Sequence, residues 1–207
     1  CEIRVEKMNK LRFSILCGTL LLLFSPISAL ACACCSNDGE YSRSTGRISD
    51  YEFELIKQMR FGPQASLYIT EADLEEVSRG IVDPKLEYSL SDSLAGRVWR
   101  LLFKEESRTG SINLTLPSMM ERLNIDLQDG QKSAGGGPLL YKEWRLQGPV
   151  SGSGFFRSGI VGPTRYKLIL QGRGNGCDNA EDFKSWRLEI SGKKAQYAFY
   201  GKLGKPS

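Results

Sequence analysis

The chemistry most readily seen in this chain lies in its cysteines. Cys32, Cys34 and Cys35 crowd into "ALACACC" over residues 29–35, and Cys177 stands far downstream. Three chemistries compete for them. In an oxidising compartment an even set of cysteines forms disulfides. Neighbours such as Cys34 and Cys35 cannot bond to each other without local strain. Cys177 is then expected to pair with one of the three, tying the N-terminal segment to a distant loop and stabilising the fold by about 4 kcal/mol. The remaining two would close a small ring, Cys32–Cys35 or Cys32–Cys34. As thiolates, the same four residues would suit Cu(I) or Zn(II). However, Cys-x-Cys-Cys is not the usual zinc spacing, and the chain has no histidine to complete a mixed site. A lipid anchor on Cys32 would need a large aliphatic residue three places earlier, where Ala29 stands, with Leu30 one place late.

A second cluster of chemical groups is the run from Gly172 to Phe183, "GRGNGCDNAEDF". Its alternate glycines resemble a phosphate cradle but lack the Lys-Ser/Thr that would complete one. Asn175, Asp178, Asn179, Glu181 and Asp182 offer oxygen ligands for Ca²⁺, though not in EF-hand order. The competing account is a hairpin loop held by Cys177, since such loops favour these residues for backbone reasons alone. A third pattern occurs twice, as Trp144-Arg145-Leu146 and Trp186-Arg187-Leu188. In a strand, Trp144 and Leu146 share one face and Arg145 takes the other. Trp144, Trp186 and Arg145 would line a cavity for an anionic ligand in a barrel mouth, or else the tryptophans are core and the arginine solvated.

Catalytic constellations are thin. With no histidine, Ser-His-Asp and Cys-His mechanisms are excluded, as is any His-ligated metal. Glu143 with Asp182, or Glu52 with Glu54, form carboxylate pairs only on paper, because the sequence gives no separation between them. Nothing here argues for an enzyme or for a resident cofactor.

The elements that must position these residues begin after a distinctive N-terminus. Met8 is followed by Lys10 and Arg12, an apolar run from Phe13 to Phe24, then Pro26 and the small residues Ser28, Ala29 and Ala31. That is the build of a secretory signal peptide over residues 1–31, too short and too broken for a spanning helix. Residues 1–7 carry Glu2 and Glu6, which suit no such signal and point to a start site taken too far upstream. Without residues 1–31 there remain 24 basic and 22 acidic side chains, a net charge of +2. No Lys/Arg block is present, which excludes a nucleic-acid partner on electrostatic grounds. A membrane partner is expected only if Cys32 is lipidated.

Residues 32–48 read as a Cys-rich segment with a polar linker at 42–47, and residues 49–207 as one β-rich domain. Ser49 with Glu52 forms a capping box, and Tyr51, Leu55, Ile56 and Met59 then make one apolar helical face ended by Gly62-Pro63. Alternation of Tyr51, Phe53 and Leu55 with Glu52 and Glu54 leaves a strand as the competitor. Thr70 and Asp73 ahead of Leu74 and Val77 suggest a second short helix ending at Gly80. From Ala65 on, period two dominates: "ASLYIT", "LEYSLSDS", "RVWRLLF", "SINLTL", "RLNIDLQ", "LLYKEWRLQG", "GSGFFRSG", "RYKLILQG", "WRLEISG" and "AQYAFYG". Nine or ten short strands joined by Gly, Pro, Asn and Asp describe a mainly β, antiparallel β-barrel, with a β-sandwich as the alternative, preceded by one or two short helices. The glycines beside aromatic residues in the last third favour a tightly curved sheet with rings packed over bare backbone.

The expected function is that of an exported, disulfide-tied, non-catalytic binding or structural protein of the periplasm or extracellular space. Its partner would be a small molecule or an envelope protein, and a ligand would sit in the barrel interior near Trp144 and Trp186. The alternatives are a thiol-based Cu/Zn protein and a lipoprotein anchored through Cys32.

Overall fold

The structure, a computed structural model, describes residues 34–69 and 73–204. Ten strands follow one another: β1 (Tyr41–Arg47), β2 (Gln64–Leu67), β3 (Glu87–Ala95), β4 (Val98–Glu105), β5 (Arg108–Thr115), β6 (Met119–Ile125), β7 (Leu140–Gly154), β8 (Arg165–Gly174), β9 (Phe183–Ser191) and β10 (Gln196–Lys202). Two helices, α1 (Asp50–Gln58) and α2 (Leu74–Val77), lie between the first three strands. Every pairing is antiparallel, and eight strands, β7-β5-β4-β3-β2-β10-β9-β8, close on themselves through β7–β8. The barrel, not the sandwich, is therefore the architecture.

The long strand β7 is the spine. Along Leu140–Pro149 it pairs with β8, and on its other side it pairs first with β6, over 141–145, and then with β5, over 150–154. β5 and β6 run along it as one interrupted strand. The seven steps from Leu114 to Glu121 stand opposite the five from Val150 to Arg145, so two extra residues bulge out at the break. Pro117, which has no N–H for a ladder, sits in that break. The alternation read as two strands, "LLYKEWRLQG" and "GSGFFRSG", is thus a single strand to Gly154 followed by a turn at Phe155–Phe156. β1 pairs only with β6 and is the open edge of the sheet. Residues 42–47 are therefore a strand, not the polar linker expected. Nearly every side chain of "YSRSTGR" is exposed, so it carries no apolar alternation to read.

The helix expected after Ser49 forms, and its capping box is complete. Ser49 Oγ accepts the Glu52 N–H at 3.2 Å, while Glu52 Oε2 accepts the Ser49 N–H at 2.7 Å. Leu55, Ile56 and Met59 are buried against the barrel. Tyr51 is not on that face as expected; it is exposed, and its hydroxyl donates to Asp178 O at 2.7 Å. Asp73 caps α2 by accepting the Glu76 N–H at 3.0 Å. Thr70 lies outside the described residues.

The barrel interior is packed with rings. Trp99, Trp144, Trp186, Phe103, Phe156 and Phe199 are all fully buried, each such side chain contributing about 1.5–3 kcal/mol of apolar burial. Two glycines make room for them. Gly148 faces Tyr166 across β7–β8, and Gly201 faces Trp186 across β9–β10. A Cβ on Gly201 would stand 2.7 Å from Trp186 Cζ2 and 2.8 Å from Gln64 O. The ring-over-glycine packing expected from the sequence is what curves this part of the wall.

Candidate functional site

Cys34 and Cys177 form a disulfide across 143 residues of sequence. It brings the N-terminal segment onto the loop between β8 and β9, where Gly176 N donates to Cys34 O at 2.9 Å. Cys177 thus pairs with the middle of the three candidates. A four-thiolate Cu/Zn site is corrected by the same bond, because two of its ligands are spent as a disulfide. Cys35 is exposed, with Sγ 3.9 Å from Gly135 O. Cys32, on which the lipid anchor and the small ring both depend, lies outside the described residues, as does the whole signal segment. Among the described residues no three His, Cys, Asp or Glu side chains stand together as a metal site.

The oxygen-rich loop is organised around a residue that sequence reasoning missed. Asn175 Oδ1 accepts the Cys177 N–H at 3.0 Å, a local turn contact. Asp178 and Asp182 converge on Lys142, whose Nζ lies 2.7 Å from Asp178 Oδ1 and 3.0 Å from Asp182 Oδ2 and also donates to Cys177 O. Asn179 N donates to Asp182 Oδ2 at 3.3 Å, and Glu181 is exposed. An ammonium group therefore stands among the oxygens offered to Ca²⁺, within the hairpin loop that Cys177 holds. Lys142 is 0% exposed. Alternation explains why: it shares the inward face of β7 with Leu140, Trp144 and Leu146. That signal was available in "YKEWRL", two places ahead of the tryptophan.

Trp144 and Trp186 are core. Trp144 stacks obliquely on Phe183 at 4.6 Å, and Trp186 meets Phe61 edge-on at 5.0 Å and donates its indole N–H to Lys202 O at 3.1 Å. Both rings pack within the wall, and Trp186 also borders the outer groove described below. Arg145 points to the outer face, away from both, where it pairs with Glu143 and lies 3.5 Å from Glu121. Tyr141 donates to Glu143 at 2.5 Å, and Gln171 donates to the Tyr141 hydroxyl at 2.7 Å. Burial alone would raise the Glu143 carboxyl, but hydrogen bonds from Tyr141 and Arg145 outweigh it and hold the group below the usual carboxylate range. Burial, and then the Glu143 contact, push the Tyr141 hydroxyl up to about 12. A general acid or base needs a pKa moved toward neutrality. This cluster moves both groups away from it, so it braces the wall.

A concave feature lies farther round the same outer face, along β2, where the ladders are shortest. β2 pairs with β10 over two residue pairs and with β3 over three. A groove of about 910 Å³ opens there, within the roughly 300–1,000 Å³ typical of small-molecule sites. Tyr68, Ile69, Leu86 and Tyr200, all exposed apolar side chains, line it. Tyr68 and Tyr200 pack edge to face at 6.3 Å. The Arg187 guanidinium lies 4.5 Å from the Tyr68 ring centroid, with Nε 3.0 Å from Glu189 Oε1. Lys202 lines the same groove and makes no ion pair among the described residues, while Glu87 stands on the β3 side. Of the groove's lining, the sequence reading singled out Trp186 and Arg187, both from the second Trp-Arg-Leu repeat. The available signal was the outward-facing Tyr200 between inward Phe199 and Gly201.

Compared with protein-family models, with curated proteins and with solved structures, the chain matches none.

Proposed function

We propose that this is an exported, disulfide-tied, non-catalytic binding protein whose ligand lies in the outer-wall groove along β2. The observation that carries this is the gathering of Tyr68, Ile69, Leu86 and Tyr200 in one concavity while the barrel interior is filled by its own rings. Contiguous exposed apolar surface of this kind marks a binding site. Arg187 is matched by Glu189, so the cation the groove offers a ligand is Lys202, which makes no ion pair among the described residues. The ligand class this favours is a small molecule with an apolar or aromatic body and an anionic group. Export through the signal-like residues 1–31, to the periplasm or beyond, is supported by the long-range disulfide, and a lipid anchor on Cys32 is compatible with it.

Anilinonaphthalene sulfonate, an aromatic anion that fluoresces on leaving water, tests the groove. It is expected to bind the folded protein at one saturable site, and Tyr200→Ala and Lys202→Glu should each weaken it about tenfold, about 1.4 kcal/mol. Binding that survives the double substitution in a protein with unchanged thermal unfolding would overturn the assignment. Export is tested by fractionating cells that express the chain with and without residues 1–31.

A further inference from the structure

The loop from Cys177 to Asp182 closes over Lys142 with more negative charge than an ion pair requires. A lysine buried this deeply is ordinarily matched by one carboxylate; Lys142 meets two, along with a backbone carbonyl. The two carboxylates are not equivalent. Asp182 is held on three sides: it accepts the Asn179 N–H, it faces Lys142, and it lies over Gly174, where a Cβ would stand 2.2 Å from its Oδ2. The Asp178 carboxyl makes no hydrogen bond or ion pair among the described residues except to Lys142, and its oxygen is the nearer, at 2.7 Å. On the inward face of β7 Lys142 is flanked by the fully buried Leu140 and by Trp144, whose ring packs on Phe183.

We propose that Lys142 and Asp178 become joined by an intramolecular amide bond, with Asp182 as the proton carrier. An amine buried in the wall and a carboxyl held against it from a partly exposed loop react as if at very high local concentration, and a positioned second carboxylate supplies the proton transfers. In the reaction the Lys142 ammonium passes one proton to Asp182, and neutral Nζ adds to Cγ of Asp178. The Nζ–Cγ bond forms, one Cγ–O bond breaks, and that oxygen leaves as water. Of the three ammonium protons, one stays on the amide nitrogen and two depart in the water, one by way of Asp182. No oxidant or reductant takes part. The product removes one positive and one negative charge from the buried cluster and leaves Asp182 to accept from the new amide N–H. It also places a second covalent tie at residue 178, next to the disulfide at residue 177, and this one resists thiols.

Mass spectrometry of the full chain, purified folded and then denatured and reduced, tests the bond. The expected mass is lower than the sequence requires by one water molecule. Proteolysis should yield a reductant-resistant branched peptide linking Lys142 to Asp178. Asp178→Ala and Lys142→Arg are expected at full mass, and Asp182→Asn should slow formation by about a hundredfold. Where a variant is lost to misfolding, the native chain alone decides the matter. A native protein at full mass overturns the proposal, as does a missing water mapped to any other linkage, including Lys142 to Asp182.

Discussion

Glu52 of α1 and Arg122 of β6 form a two-pronged ion pair, Nε to Oε1 at 2.5 Å and Nη2 to Oε2 at 2.7 Å. Both side chains are largely buried, and the same carboxylate closes the capping box of α1. One residue thus starts the helix and docks it beside the β5–β6 break. Glu52→Ala is expected to destabilise the protein by about 3 kcal/mol, measured by urea unfolding, and more than Ser49→Ala, which removes only the cap.

The acid limb of stability should report the same pair. Burial raises the Glu52 carboxyl, but the Arg122 and Ser49 hydrogen bonds prevail and its pKa in the folded protein lies below the ordinary carboxylate value. A depressed folded pKa means stability that is present above the unfolded value and lost as pH falls through the folded one. Between about pH 5 and the acid transition, Glu52→Gln should therefore lose less stability per pH unit than the parent. Parallel slopes would refute this.

The alkaline limb belongs to Tyr141. Its hydroxyl titrates at about 12 in the folded protein, above the 10.0 of a free tyrosine. Its contribution is complete below pH 10 and fades as pH rises through the folded value. Tyr141→Phe should flatten the fall of stability in that window. It will not abolish the fall, because Tyr166 and Tyr197 are also raised by burial.

Reduction of Cys34–Cys177, or Cys34→Ser with Cys177→Ser, is expected to cost about 5 kcal/mol, given the 143-residue separation. Equilibrium unfolding with and without reductant measures it. An unchanged midpoint would mean that the loop is held without the bond.

Gly201→Ala tests the curvature of the wall. Its new methyl would meet both the Trp186 ring and the Gln64 carbonyl, and the backbone oxygen cannot swing aside. A loss of about 1–3 kcal/mol with a shifted tryptophan emission is expected.

What the sequence made legible follows from what a sequence can display. The capping box at Ser49–Glu52, the alternation of β3, β4 and β9, and the partnership of Cys177 with the N-terminal cysteines depend on residue type and short spacing. The role of β1 did not show, because a seven-residue edge strand with exposed polar side chains has no pattern to betray it. The continuity of β7 through Pro149 was hidden by a residue that normally ends strands; here it stands where β7 leaves β8 for β5. The groove was least visible of all. Arg187 and Tyr200 face each other across the β9–β10 hairpin, but Tyr68 and Leu86 join them only when the barrel closes.

That closure has a consequence for motion. The seam between β2 and β10 joins residues more than 130 positions apart with two registered pairs, Leu67 with Phe199 and Ser66 with Tyr200, flanked by Tyr68 N to Ala198 O on one side and Gly62 N to Lys202 O and the Phe61–Leu203 bridge on the other. This interrupted ladder, beside the long ones of β7–β8 and β8–β9, is where transient opening of the wall should begin, and amide protons of β2 should exchange with solvent ahead of those in β8 and β9. The groove straddles this seam. A ligand resting across Tyr68 and Tyr200 would act as a latch, and the rate of opening would carry the report of occupancy.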